Sequence, residues 1–100
     1  MMTVITHVTL TEGSEPEWDA AMHERLKAAR EESGWLSAQL LIPLDALNRR
    51  AIVGTWETRA DWERWHRSET FTATRERLRK LEVAEQEMTW YEAVIDLASH

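Results

Sequence analysis

A chain of 100 residues, 43% hydrophobic and 30% charged, has the size and balance of one globular domain, and no apolar run in it nears the roughly 18 residues of a membrane span. Without cysteine it can form no disulfide, thiolate metal site or thiol nucleophile, so any chemistry must come from histidine, arginine, carboxylates, tryptophan or a borrowed cofactor. A net charge of −6 speaks against nucleic-acid binding, and the basic cluster Arg75, Arg77, Arg79 and Lys80 reads mainly as a solvated helix face paired with Glu76 and Glu82. The start, MMTVITHVTL, has no basic region followed by an apolar block, so a cytoplasmic location without membrane contact is expected.

Thr3 to Thr11 alternates Val4, Thr6, Val8 and Leu10 against Ile5, His7 and Thr9, the pattern of a strand with two different faces. Ser14 and Glu17 have capping-box spacing, with Pro16 tolerable in a first turn. The predicted helix carries an apolar stripe of Trp18, Met22, Leu26 and Ala29 and is expected to stop at Gly34. Trp35 to Ile42 reads as a second strand ended by Pro43, and Arg50 to Glu57 as a third. The connection is short enough for an antiparallel return, and Gly54 marks a point where something approaches the backbone closely. Thr58 and Asp61 form a second capping signature and start a helix carrying Trp62, Trp65 and His66. It breaks around Ser68 to Thr70, after which Phe71, Arg75, Leu78 and Leu81 recur at helical spacing. Met88 to Leu97 is read as a long last strand, apolar in both phases, with Trp90 and Val94 on one side and Tyr91, Ile95 and Leu97 on the other.

The order βαββαβ is that of the split βαβ, ferredoxin-like α+β sandwich, in which helices cover one face of a four-stranded antiparallel sheet. A last strand apolar on both sides does not suit a half-solvated sheet, so the uncovered face is expected to pack on a second copy in a symmetric homodimer. One domain is expected to occupy residues 1–100.

The stretch IVGTWETRADWERWHRSETF, with GWLSAQLLI before it and the strand-first, strand-last layout, resembles the antibiotic biosynthesis monooxygenase domain family over nearly the whole chain. The resemblance implies a ferredoxin-like fold that dimerises through its sheets into an α/β barrel, with a pocket between sheet and helices in each subunit. One branch of that family degrades haem, using an asparagine, a tryptophan and an axial histidine that correspond here to Thr6, Trp65 and Arg75. An arginine in the last position stays protonated and cannot ligate iron. A second branch converts polyketide anthrones to quinones without a cofactor. It is similar to this chain at Trp56 and, after one gap, at Arg75, while its asparagine and tyrosine correspond to Ile52 and Trp62.

The implied function is cofactor-independent oxygenation of a flat phenolic or polycyclic molecule held between Trp56 and Trp65, with Thr6, Trp62 and Phe71 as further contacts. Arg75, inward on its helix, would stabilise the enolate unless a carboxylate such as Glu92 pairs with it. His66 ordinarily titrates near neutrality and is the candidate base, although a lone helical histidine is more often a surface or hydrogen-bonded group. His7 should face the dimer interface, His23 and His100 the solvent, and no histidine–carboxylate pair has metal-site spacing. Haem binding and a non-catalytic small-molecule-binding or stress-associated dimer are the alternatives. The latter would follow if Trp56, Trp65 and Arg75 were sealed with no cavity among them.

Overall fold

A computed structural model describes residues 1–98. The β-branched alternation at the N-terminus builds β1 (Met2–Thr9), which buries Met2, Val4, Thr6 and Val8 on one face and leaves Thr3, Ile5, His7 and Thr9 on the more open one. Then follow α1 (Glu15–Ala29), β2 (Trp35–Leu41), β3 (Arg49–Trp56), α2 (Arg59–His66), α3 (Glu69–Arg79) and β4 (Glu87–Glu92). The strands form one antiparallel sheet in the order β2-β3-β1-β4, the ferredoxin-like arrangement. Among the described residues no helix is long and apolar enough to cross a membrane.

The helices pack on the even-numbered face of β1 and β3, and the core divides in two. Val8 and Leu10 meet Trp18, Ala21, Met22 and Leu78 at one end, and Met2, Val4 and Trp56 meet Ala29, Trp65 and Phe71 at the other. Trp18 is fully buried, and its indole nitrogen donates to Glu82 Oε2 at 2.9 Å, which ties α1 to the segment after α3. Arg50, also buried, donates from Nε and Nη2 to the two oxygens of Asp19 at 2.8 and 3.0 Å and from Nη1 to the carbonyls of Leu47 and Arg49. A buried cation is tolerable when it is paired and fully hydrogen-bonded in this way.

Four expectations change. Ser14 sits at the head of α1 with helical dihedrals, φ −92° and ψ −2°, which turn its hydroxyl away from the helix amides. It donates to the carbonyls of Thr11 and Leu81, at 2.5 and 3.1 Å, and the capping box does not form. The helix ends at Ala29, not at Gly34. Gly34 makes the left-handed turn into β2 at φ +85°, where an added Cβ would run into the Asp61 side chain. At Gly54 a Cβ would meet only Val4 and Trp56 at 3.6 and 3.7 Å, ordinary contact distances, so no protein group crowds that backbone.

The last strand stops at Glu92 and does not reach Leu97. Glu92 pairs with Met2, the first residue of β1, and one further backbone bond, from the Ala93 amide to the Met1 carbonyl at 3.1 Å, follows it. Val94, Ile95 and Leu97 are left 88, 79 and 89% exposed. The second capping signature holds, with Thr58 Oγ1 accepting from the Asp61 amide at 3.1 Å. Ser68 Oγ does the same for Phe71 and starts α3 where the break was expected. His7 lies on the open sheet face and His23 is exposed, while His100 lies outside the described residues.

Candidate functional site

Between the two core clusters the side chains fail to close, and a chamber of about 70 Å³ remains between sheet and helices. Its floor is the even face of the sheet, with Thr6, Gly54 and Trp56 at the centre and Trp35 and Met88 at the flanks. α1 contributes Arg25, α2 brings Trp62, Trp65 and His66, and α3 brings Phe71. The chamber gives onto an open cleft of about 640 Å³ bordered by α3 and by residues 82–86, and Arg25, His66, Phe71, Gln86 and Met88 line both spaces.

Trp56 and Trp65 are nearly buried, at 3 and 5% exposure, yet both line the chamber. Neither indole nitrogen has a protein acceptor among the described residues, and no buried side-chain nitrogen or oxygen there is unpartnered, so both nitrogens reach open space. Trp62 is half-buried, with its ring centroid 3.9 Å from His66 and an edge contact to Trp90 at 5.4 Å. Thr6 is buried in the floor.

Phe71 stands at the junction. Its ring lies under the Arg25 guanidinium at 3.9 Å and near that of Arg75 at 5.3 Å, with His66 at 4.0 Å and Trp65 edge-on at 5.8 Å. Six of the seven candidate residues thus surround one space. Arg75 borders only the outer cleft and meets the chamber through Phe71. Its expected bland partner, Glu92, pairs with the N-terminal ammonium at 3.4 Å, and Arg75 has no ion pair among the described residues. A cavity therefore lies among the tryptophans, so they are not sealed as plain core.

Arg25 and Trp35 are among the lining residues that sequence reading missed. The signal for Arg25 was present, because it falls three residues after Met22 and four before Ala29 on the inward stripe of α1. It is 7% exposed. Its Nε donates to Thr74 Oγ1 at 2.8 Å and its Nη2 to the Phe71 carbonyl at 3.1 Å. Burial, partly offset by Glu82 and reinforced by Arg75, lowers its guanidinium to about 10, so it remains a cation at neutral pH.

His66 is pushed down to about 4, first by burial and then by Arg25 and Arg75. Neutral above that value, it makes folding oppose protonation. The unfolded histidine, with its ordinary value of 6.5, binds a proton that the folded one refuses, so the fold weakens as pH falls from 6.5 toward 4. Urea unfolding at pH 7 and pH 4.5 should show a loss larger by about 2 kcal/mol in wild type than in His66→Gln. An equal pH response in the two proteins would mean that His66 is not held neutral.

The residues do not fit a haem. The position that would carry the axial ligand holds Arg75, a non-coordinating cation, and His66 is packed between the Trp62 and Phe71 rings. His7 lies on the opposite sheet face. Among the described residues no group of three or more His, Asp or Glu side chains is placed to hold a metal ion.

Fold and cavity together define a ferredoxin-like α+β domain with a tryptophan-walled pocket between its sheet and its helices. The sequence profile of the antibiotic biosynthesis monooxygenase family matches residues 1–77, and the chain belongs to that family. No curated protein sequence matches it. Among solved structures it is similar to SnoaB of Streptomyces nogalater, a cofactor-independent oxygenase, at TM-score 0.86 and 18% identity, over 98% of this chain and 97% of that one. It is also similar to Rv0793 of Mycobacterium tuberculosis at TM-score 0.85 and 18% identity, covering 98% of both chains. A Nitrosomonas europaea protein provisionally named an antibiotic biosynthesis monooxygenase superposes at TM-score 0.89 with 14% identity, over 95% of this chain and all of that one. Likeness at such identities establishes the shared fold; any shared reaction rests on the residues of the site.

Proposed function

We propose that the chain is a cofactor-independent monooxygenase acting on a flat phenolic aromatic molecule. Membership of the family supports this reading, as does the fold shared with a cofactor-independent oxygenase. The observation that carries it is the junction at Phe71, where a chamber walled by Trp56, Trp62 and Trp65 opens beneath two guanidiniums. Indole faces hold the edge of an aromatic ring whose remainder extends into the cleft of about 640 Å³, and cations beside it lower the pKa of a bound phenol or enol. With its own value near 4, His66 is a weak base, so acidification by Arg25 and Arg75 matters more than its basicity.

The resulting carbanion gives one electron to O2, and recombination with the superoxide so formed makes a carbon–oxygen bond and, on protonation, a hydroperoxide, whose O–O bond breaks as the remaining C–H proton is lost. For an anthrone, the CH2 group becomes C=O and the second oxygen leaves as water, so electrons balance without metal or flavin. Oxygen uptake with an anthrone substrate tests the reaction. Arg75→Ala is expected to lower the rate roughly 10- to 100-fold, below the range for a buried oxyanion donor because Arg75 is only half-buried. Equal rates in the two proteins would remove Arg75 from the mechanism.

We also infer that two copies pair through the open sheet face. Ile5, Val53 and Tyr91 lie on it, and Leu36 and Leu41 on β2 are 40 and 44% exposed. Clustered apolar exposure of this kind supports an interface. Equilibrium sedimentation of the intact chain tests the pairing.

A further inference from the structure

The fold buries two arginines and treats them differently. Arg50 has the carboxylate of Asp19, two hydrogen bonds to it and two further carbonyls. Arg25, equally buried, has a threonine hydroxyl and one backbone carbonyl, both neutral, and no carboxylate of the described residues lies within ion-pair distance. Its nearest acid, Glu82, is held elsewhere by the Trp18 indole at 2.9 Å and the Gln86 amide at 3.2 Å. A buried cation with no carboxylate in direct contact is costly, and it marks a place where an anion can be received.

The free valence points into cavity space. Nε and Nη2 are used within the protein, which leaves Nη1 without an acceptor among the described residues. No buried side-chain nitrogen or oxygen there lacks a partner, so Nη1 is open to the space that Arg25 lines on both sides of the junction. The cleft is bordered by Arg25, Arg75 and Arg79 against Glu82 and Glu85, three positive charges to two negative, in a chain whose net charge is −6. The imidazole of His66 borders the same junction.

We propose that this junction is a receptor for the carboxylate of an aromatic acid, with Arg25 as the specificity-determining residue. The proposal rests on the reading of the chamber as a ring pocket and adds the class of molecule it selects. The ring spans the junction, with one edge entering the chamber toward Trp56 and Trp65 and the remainder in the open cleft of about 640 Å³, and the carboxylate takes the hydrogen bond of Arg25 Nη1, with Arg75 closing the outer side. A local excess of one positive charge suits a monoanion, and a neutral ring of the same shape leaves Arg25 uncompensated.

The test is calorimetric titration of the intact protein at pH 7 with 2-naphthoate and with 2-naphthamide, its uncharged isostere. Wild type is expected to bind the acid about tenfold or more tightly than the amide, the scale of one charge-assisted hydrogen bond. Arg25→Gln should bring the two affinities within about threefold, since a single such bond accounts for the preference. Equal binding of acid and amide by wild type overturns the anion receptor and leaves the ring pocket and the oxygenase reading standing. If neither probe binds, the ring pocket falls as well. A preference that persists in a folded Arg25→Gln, checked by its thermal melt, overturns the assignment to Arg25. Should that variant fail to fold, the wild-type comparison of acid with amide still decides whether the junction selects an anion.

Discussion

Phe71→Ala is expected to lower the unfolding free energy by about 3 to 4 kcal/mol and to abolish binding of aromatic ligands. The ring is 8% exposed and has an arginine, a histidine and a tryptophan as close neighbours, so its removal empties a volume that rigid partners cannot refill. It also takes away the aromatic face that Arg25 lies over, a contact worth roughly 0.5 to 2 kcal/mol, and it merges chamber and cleft. Phe71→Leu, which restores most of the volume but no π face, should lose only about 1 to 2 kcal/mol. Urea midpoints for the three proteins provide the check, and an alanine variant within about 1 kcal/mol of wild type would mean that the junction collapses around the gap.

Val53→Lys is expected to convert a dimer into a monomer, with a dissociation constant raised at least about 100-fold, because each copy would bury an ammonium opposite its twofold mate. Val53 sits in the middle of the open face, opposite Ile5 on β1 and Gln39 on β2. Sedimentation should show the shift without loss of the folded monomer. Wild type running as a monomer would end the pairing proposal. A dimeric Val53→Lys would move the interface to another face. Its chain neighbours Ile52 and Gly54 point the other way and line the chamber, so pairing would stiffen the floor of the ligand site.

The architecture was legible in the sequence where local signals agreed. The even-odd alternation of β1, the Thr58–Asp61 cap and the Ser68 break all correspond to observed features. Legibility failed where a partner strand decided the matter. The apolar alternation past Glu92 suggests strand, yet β1 begins at Met2 and offers no further ladder. Ser14 shows the limit of spacing rules, since its hydroxyl has a long-range competitor in the Leu81 carbonyl that no local pattern contains. At the site, tryptophans at strand and helix positions pointed inward, and they do line the chamber. A charged side chain on an apolar stripe reads as an interruption, and only the tertiary structure reveals that no carboxylate of the described residues lies within ion-pair distance of Arg25.

The turn at Gly34 bears on how such a chamber can change over generations. Its missing side chain leaves room for Asp61 at the head of α2, and its carbonyl accepts the Glu57 amide at 2.7 Å just before that helix. Any residue with a Cβ there must displace the Asp61 side chain and disturb the cap at the head of α2, the helix that carries Trp62, Trp65 and His66. The seating of the aromatic wall is therefore tied to a position that never touches the ligand. Variants that admit broader molecules should arise as readily at this remote spacer as among the tryptophans themselves.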